Sequence, residues 1–300
     1  MLRWLVGAVC GVGALASFGL TVLYFFQEKI LYVPQLPGIP SNYWVTPDNY
    51  KLAYEDLEVT SGDGVKLHAW LLKDPTWHPD WISKRPIVMF FQENAGNMAH
   101  RLPFLRLLVQ QLQCPVFAPS YRGYGLSKGQ PNERGLKLDA QAALDHILAR
   151  TDFKQPRVLV FGRSLGGAVA IHLTANNQDK VAALIVENSF TSVEAMVGQM
   201  FSVLGHIIGP GRPLNFLVTN KWRSIEDIRK ITTVPLLMMV SMQDEMVPAS
   251  QMLELHAAQR AASCTLLRME SAGHMDAYSS EARTYWPALR KLYTEILERR

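Results

Sequence analysis

The chain has 300 residues, of which 48% are hydrophobic and 19% charged, with a formal net charge of +4. That length and composition suit one sizeable globular domain able to bury its core without disulfide staples, and the scattered positive charge excludes a nucleic-acid-binding footprint. The three cysteines, Cys10, Cys114 and Cys264, are an odd number without a Cys-x-x-Cys, which excludes a disulfide framework and a zinc site.

The first element is apolar. From Trp4 to Phe26 no side chain is charged, enough for the ~20 residues of a membrane-spanning helix. Trp4 stands at one end, with Tyr24, Phe25, Phe26 and Tyr32 at or beyond the other, where interfacial aromatics belong. Ala14-Leu15-Ala16 has the form of a signal-peptide cleavage site, but the run continues past the ~7–15 apolar residues of such a peptide. Residues 1–27 are therefore expected to be an uncleaved single-pass signal-anchor. Arg3 before the run, against Glu28 and Lys29 after it, gives a slight preference for a cytoplasmic N-terminus and leaves the organelle open. Gly7 and Gly11 form a G-x-x-x-G inside it, explained more simply by the frequency of glycine in spanning helices than by dimerisation.

Residues 28–50 carry Pro34, Pro37, Gly38, Pro40 and Pro47 and are expected to form an extended tether. A domain is expected from 51 to 300. Its strand candidates are Tyr54–Thr60, Val65–Leu72, Pro86–Phe91, Val116–Pro119, Arg157–Phe161, Val181–Val186, Val234–Val240 and Cys264–Met269. Ser61-Gly62-Asp63-Gly64 makes the first two an antiparallel hairpin. The later strands are nearly continuous apolar runs, as in a parallel sheet covered on both faces. Leu136, Ala140, Ala143, Leu144, Ile147 and Leu148 fall at helical spacing, as do Trp286, Leu289, Leu292, Tyr293, Ile296 and Leu297. The α/β class with a largely parallel sheet follows. From about 190 to 231 the rhythm breaks into a stretch rich in Met and aromatics, expected to be a small helical cap, with Ser224 and Asp227 capping its last helix.

Gly162-Arg163-Ser164-Leu165-Gly166 is a G-x-S-x-G between a strand and a helical pattern. That context is the one a nucleophile elbow needs, with Ser164 on a tight turn and glycines where strand and helix approach. A serine hydroxyl needs a base, and the order for such an elbow is serine, acid, histidine. His274, in the loop after the last strand, is the base expected; His172 and His256 lie on helical patterns and His206 in the cap. Asp244, at the end of Val234–Val240, is preferred as the acid over Glu245 and Glu187 on chain order and strand-end placement. One oxyanion donor is expected to be the backbone N–H of Leu165, the other to come from Gln92-Glu93-Asn94-Ala95-Gly96-Asn97. There is no dinucleotide fingerprint, P-loop, H-E-x-x-H or EF-hand loop, so neither cofactor nor metal is expected.

Phe91 to Asn97, Tyr121-Arg122-Gly123-Tyr124-Gly125, Phe161 to Ala170 and Val186-Glu187-Asn188-Ser189-Phe190 together resemble the Bem46-like α/β hydrolases, from about Tyr54 to near the C-terminus. The resemblance implies the α/β-hydrolase fold, an N-terminal signal-anchor, and Ser164, Asp244 and His274 as charge-relay residues. It also matches Asn94 to the position whose N–H completes the oxyanion hole. The family usually has His-Gly before that Asn, where this chain has Gln92-Glu93, so a carboxylate stands beside the segment where an oxyanion would develop. The function expected is cleavage of an acyl ester or thioester at a membrane surface, with an acyl-containing small molecule, lipid or acylated protein as partner. The alternatives are a serine peptidase on short peptides and, prompted by Glu93, a catalytically weak membrane scaffold.

Overall fold

The computed structural model describes residues 19, 21–22, 24–36, 38, 43–200 and 204–299. The greater part of the expected anchor, with Gly7 and Gly11, lies outside them. Among the described residues no helix is long and apolar enough to cross a membrane.

Turn chemistry and apolar patterning build one eight-stranded sheet. β1 (Ala53–Thr60) and β2 (Lys66–Lys73) form the expected antiparallel hairpin, and β2 pairs antiparallel with β4 (Val116–Pro119). The rest is parallel, through β3 (Ile87–Phe91), β5 (Val158–Arg163), β6 (Val181–Glu187), β7 (Leu236–Ser241) and β8 (Cys264–Met269), in the order β1-β2-β4-β3-β5-β6-β7-β8.

The uninterrupted apolar runs are explained by burial on both faces. β5 turns Val158 and Val160 to one core and Leu159 and Phe161 to the other, and β6 divides Leu184 and Val186 from Ala183 and Ile185 in the same way. Helices α2 (Glu133–Leu148), α3 (Leu165–Ala175) and α6 (Ala249–Ala258) cover the first face. Helices α1 (Leu102–Leu112) and α7 (Ala282–Glu298) cover the second. Phe161 meets Phe90 edge-on at 5.4 Å and Phe104 at 5.9 Å; truncating so buried a ring to alanine would cost ~3–5 kcal/mol.

Two strand ends differ from the sequence reading by two residues and the others by at most one, because pairing rather than hydropathy sets them. β5 runs on through Gly162 and Arg163, which pair with Val186 and Glu187, and β7 begins only at Leu236. Between β6 and β7 come α4 (Val193–Met200), two short 3-10 turns and α5 (Ser224–Ile228). The expected cap by Ser224 and Asp227 does not form. Arg223 is the N-cap, without a side-chain hydrogen bond, and the Ser224 hydroxyl donates to the Trp222 carbonyl. Asp227 is drawn away because α5 packs on α3, where His172 Nδ1 lies 2.8 Å from its carboxylate.

The stretch expected as an extended tether is also more structured. Residues 28–31 complete a helical segment that includes residues 24–27 of the expected anchor, and Pro47–Tyr50 form a 3-10 turn. Tyr32 is buried, donating its hydroxyl to Asn220 and accepting from the Trp222 indole, both at 2.9 Å. Val33 then makes a parallel bridge with Ala95.

Candidate active site

The C-terminal ends of the parallel strands collect the chemistry-bearing residues, as open α/β sheets do. β5 delivers Ser164 at the entrance to α3 with φ 56° and ψ −120°, a positive φ that an L-residue adopts only under constraint. Three contacts impose it: the Ser164 N–H donates to Glu187 O (2.8 Å), and its carbonyl accepts from Gly167 N (2.9 Å) and the Ser189 hydroxyl (2.9 Å). The glycines are required by proximity. A methyl at Gly162 would collide with the Gly166 carbonyl, and one at Gly166 with the Phe91 carbonyl.

The loop after β8 places His274, 1% exposed, with Nδ1 2.6 Å from Asp244 Oδ2. A carboxylate only accepts, so Nδ1 carries the proton and Nε2 is left as the basic nitrogen. That Nε2 is buried and without a hydrogen-bond partner among the described residues. Asp244 is itself held, Oδ1 accepting from the backbone N–H groups of Met246 (2.8 Å) and Val247 (2.7 Å). The two rival acids go elsewhere. Glu245 reaches only the His274 backbone N–H (3.2 Å), and Glu187 takes the Tyr285 hydroxyl (2.8 Å) and Arg163 Nε (3.0 Å) beneath the elbow.

One residue with an unforeseen part ties these loops together. Asn188, in the left-handed region at φ 48°, donates Nδ2 to the His274 carbonyl (3.0 Å) and the Ser241 hydroxyl (3.0 Å) and accepts from Ser241 N (2.9 Å). Its neighbour Glu187 accepts from Ser164, so residues 187–188 bridge the elbow to the histidine loop. Asn188 stands in a segment singled out by resemblance, but nothing local in the sequence assigns it this work.

The segment after β3 is fastened from two sides. The Asn94 carbonyl accepts from Val33 N (2.9 Å) and the Tyr124 hydroxyl (2.6 Å), while its side-chain amide donates to Leu31 O (2.9 Å). Glu93 is buried between Arg101, whose Nε lies 2.6 Å from one oxygen, and Arg163, whose Nη1 lies 3.1 Å from the other. Burial pushes the Glu93 carboxyl up, but the two arginines outweigh it and hold the group below its ordinary range. For Glu187 burial wins over Arg163, and its pKa is raised. The Glu93–Arg163 pair thus joins the residue before Asn94 to the residue before Ser164. An arginine inside an otherwise apolar strand end was the sequence signal for this buried partnership.

Ser164, Leu165 and Asn94 line one cavity of about 280 Å³. Its walls are Phe190, Val193, Met196 and Val197 from the cap side, Leu204, Ile208, Leu217 and Val218 farther along the same insertion, Met246 and Val247, and Tyr24, Gln27, Ile30 and Leu31 from the N-terminal helical segment. Leu165 opens α3, so its N–H is one of the donors a helix start leaves without an intrahelical acceptor. No charged residue lines the cavity among the described residues.

Residues 93–207 match the family model described as alpha/beta hydrolase fold. The chain is 45% identical over 293 residues to the Arabidopsis thaliana protein named alpha/beta hydrolase domain-containing protein WAV2, covering 95% of this chain and 93% of that protein. It is 39% identical over 242 residues to protein bem46 of Schizosaccharomyces pombe, covering 81% and 78%. A Saccharomyces cerevisiae relative described as an uncharacterized membrane protein, YNL320W, is 28% identical over 286 residues, with 95% of each chain covered. Among solved structures, the Pyrococcus furiosus esterase Pf2001 shares the fold at a TM-score of 0.69 with 16% identity, over 88% of this chain and 97% of that one.

Proposed function

The chain belongs to the Bem46-like family of α/β hydrolases, and on that footing we propose that it is a serine hydrolase that cleaves an acyl ester or thioester at a membrane surface. Ser164 Oγ attacks the acyl carbon while His274 Nε2 takes its proton. Asp244 fixes the tautomer and stabilises the imidazolium. The N–H groups of Leu165 and Asn94 hold the oxyanion. Collapse breaks the acyl–oxygen or acyl–sulfur bond, His274 returns the proton to the leaving alcohol or thiol, and water repeats the sequence to free the acid and Ser164.

The observation that carries this reading is that Ser164, Leu165 and Asn94 line one cavity together with mainly apolar, uncharged side chains. Uncharged walls suit an acyl chain and offer nothing to the charged ends of a short peptide, which favours the ester or thioester over the peptidase alternative. The scaffold alternative rested on Glu93, whose charge is matched by two arginines. A membrane surface is favoured by the apolar side chains left exposed on the segments that form the cavity: Tyr24, Phe25, Phe26, Ile30, Phe216 and Met246. The test is fluorophosphonate labelling of the purified full chain in detergent. Wild type should label and Ser164→Ala should not; equal labelling of both overturns the assignment.

A further inference from the structure

The cavity above Ser164 is closed on one side by a helical segment that precedes the hydrolase domain in sequence. Tyr24, Gln27, Ile30 and Leu31 line it, as do Val193 and Val197 of α4. Gln27 fastens this segment to the cap by pairing with its backbone like a neighbouring strand. Its Nε2 donates to Leu217 O (3.0 Å) and its Oε1 accepts from Thr219 N (2.8 Å). Below it the Tyr32, Asn220 and Trp222 hydrogen bonds and the Val33–Ala95 bridge make the same join. The segment is therefore a wall of the site and no mere leash to it.

We infer that residues 24–31, held by Gln27, form the wall that sets acyl-chain length, and that the substrate carries a medium-chain acyl group on the order of eight to ten carbons. The inference rests on the reading of Ser164 as nucleophile. The length comes from the cavity: about 280 Å³ holds roughly nine groups of water size, ~30 Å³ each, and a methylene is of that size. Each methylene that finds apolar wall should raise kcat/KM about fourfold, until the room ends. Gln27 touches no reacting atom, so it is a positioning residue, and its signature is on KM rather than kcat.

The test is a series of 4-nitrophenyl esters from acetyl to palmitoyl, hydrolysed by the full chain in detergent micelles, beside fluorophosphonate labelling of the same preparation. The profile should peak at octanoyl or decanoyl. Val197→Trp, which adds bulk to a residue lining the cavity, should move the peak to butyryl, which requires the octanoyl-to-butyryl ratio of kcat/KM to fall by about 250-fold or more, about fourfold for each of the four methylenes. Gln27→Ala should raise KM for the octanoyl ester severalfold with a smaller change in kcat. A chain that labels and hydrolyses, but whose profile peaks at acetyl, climbs unbroken to palmitoyl, or ignores both substitutions, overturns the inference and leaves the hydrolase standing. A chain that neither labels nor cleaves any ester overturns both.

Discussion

Replacing Glu93 by Gln removes one negative charge from a cluster in which two carboxylates, Glu93 and Glu187, face two guanidinium groups, Arg101 and Arg163. Both partners of the Glu93–Arg163 pair are almost wholly buried, with side-chain exposures of 4% and 1%. Breaking such a pair from one side typically costs ~3–5 kcal/mol. Here Arg163 keeps Glu187 and the Tyr285 hydroxyl, and glutamine still offers an acceptor, so a loss of about 2–3 kcal/mol is expected. For a domain of this size that lowers Tm by roughly 4–12 °C. The substitution also unfastens the residue before Asn94, and a displaced oxyanion donor should reduce kcat about 10–100-fold, short of the full loss of a donor. Urea unfolding and ester hydrolysis would read the two effects. Glu187→Gln is the internal comparison: burial already raises the Glu187 pKa and it contacts only one arginine, so its loss should cost less stability than that of Glu93. The reasoning is refuted if Glu93→Gln stays within ~0.5 kcal/mol of wild type with unaltered kcat, or if Glu187→Gln proves the more damaging.

Three further expectations follow from the same contacts. Asp244→Asn should leave the fold intact, since one oxygen still meets the Met246 and Val247 N–H groups, yet lower kcat on the order of 10³–10⁴-fold by losing the tautomer set at His274; steady-state kinetics with circular dichroism checks both halves. Asn188→Ala strands the His274 carbonyl and Ser241 partners and puts alanine at positive φ, so about 2–4 kcal/mol of stability should go, with slower fluorophosphonate labelling as the second readout. Hydrogen bonds from Arg122 hold the Asp63 carboxyl at about 2, below its ordinary 3.8. The stabilisation is thus present above the ordinary value and lost as pH falls through about 2. Acid titrations of stability should fall less steeply between pH ~4 and ~2 in Asp63→Asn than in wild type.

Much of the architecture could be read locally. The Ser61–Gly64 turn and the flanking alternation specify a hairpin, and the parallel strands show themselves as unbroken apolar runs because they bury both faces. The elbow is legible too: Gly162 and Gly166 stand where a side chain would strike backbone carbonyls, so the steric demand is written into the pentapeptide. Where the reading fell short, a distant partner intervened. Ser224 and Asp227 have the spacing of a helix cap, but His172, on another helix, claims the carboxylate. The prolines after residue 33 point to an extended tether, yet the preceding helical turns dock through Gln27 onto residues 217–219.

Residue order alone determined the kind of sheet, the place of Ser164 on its turn and the short set of acids and bases that could serve it, because periodicity, glycine sterics and strand-end placement act over a few residues. Only the tertiary structure decided that Asp244 rather than its neighbour Glu245 faces His274, that Glu93 is matched by Arg101 and Arg163, and that the N-terminal helical segment walls the cavity. Those outcomes depend on side chains far apart in sequence meeting in a medium where an unmatched charge is costly, and no local pattern encodes such a meeting.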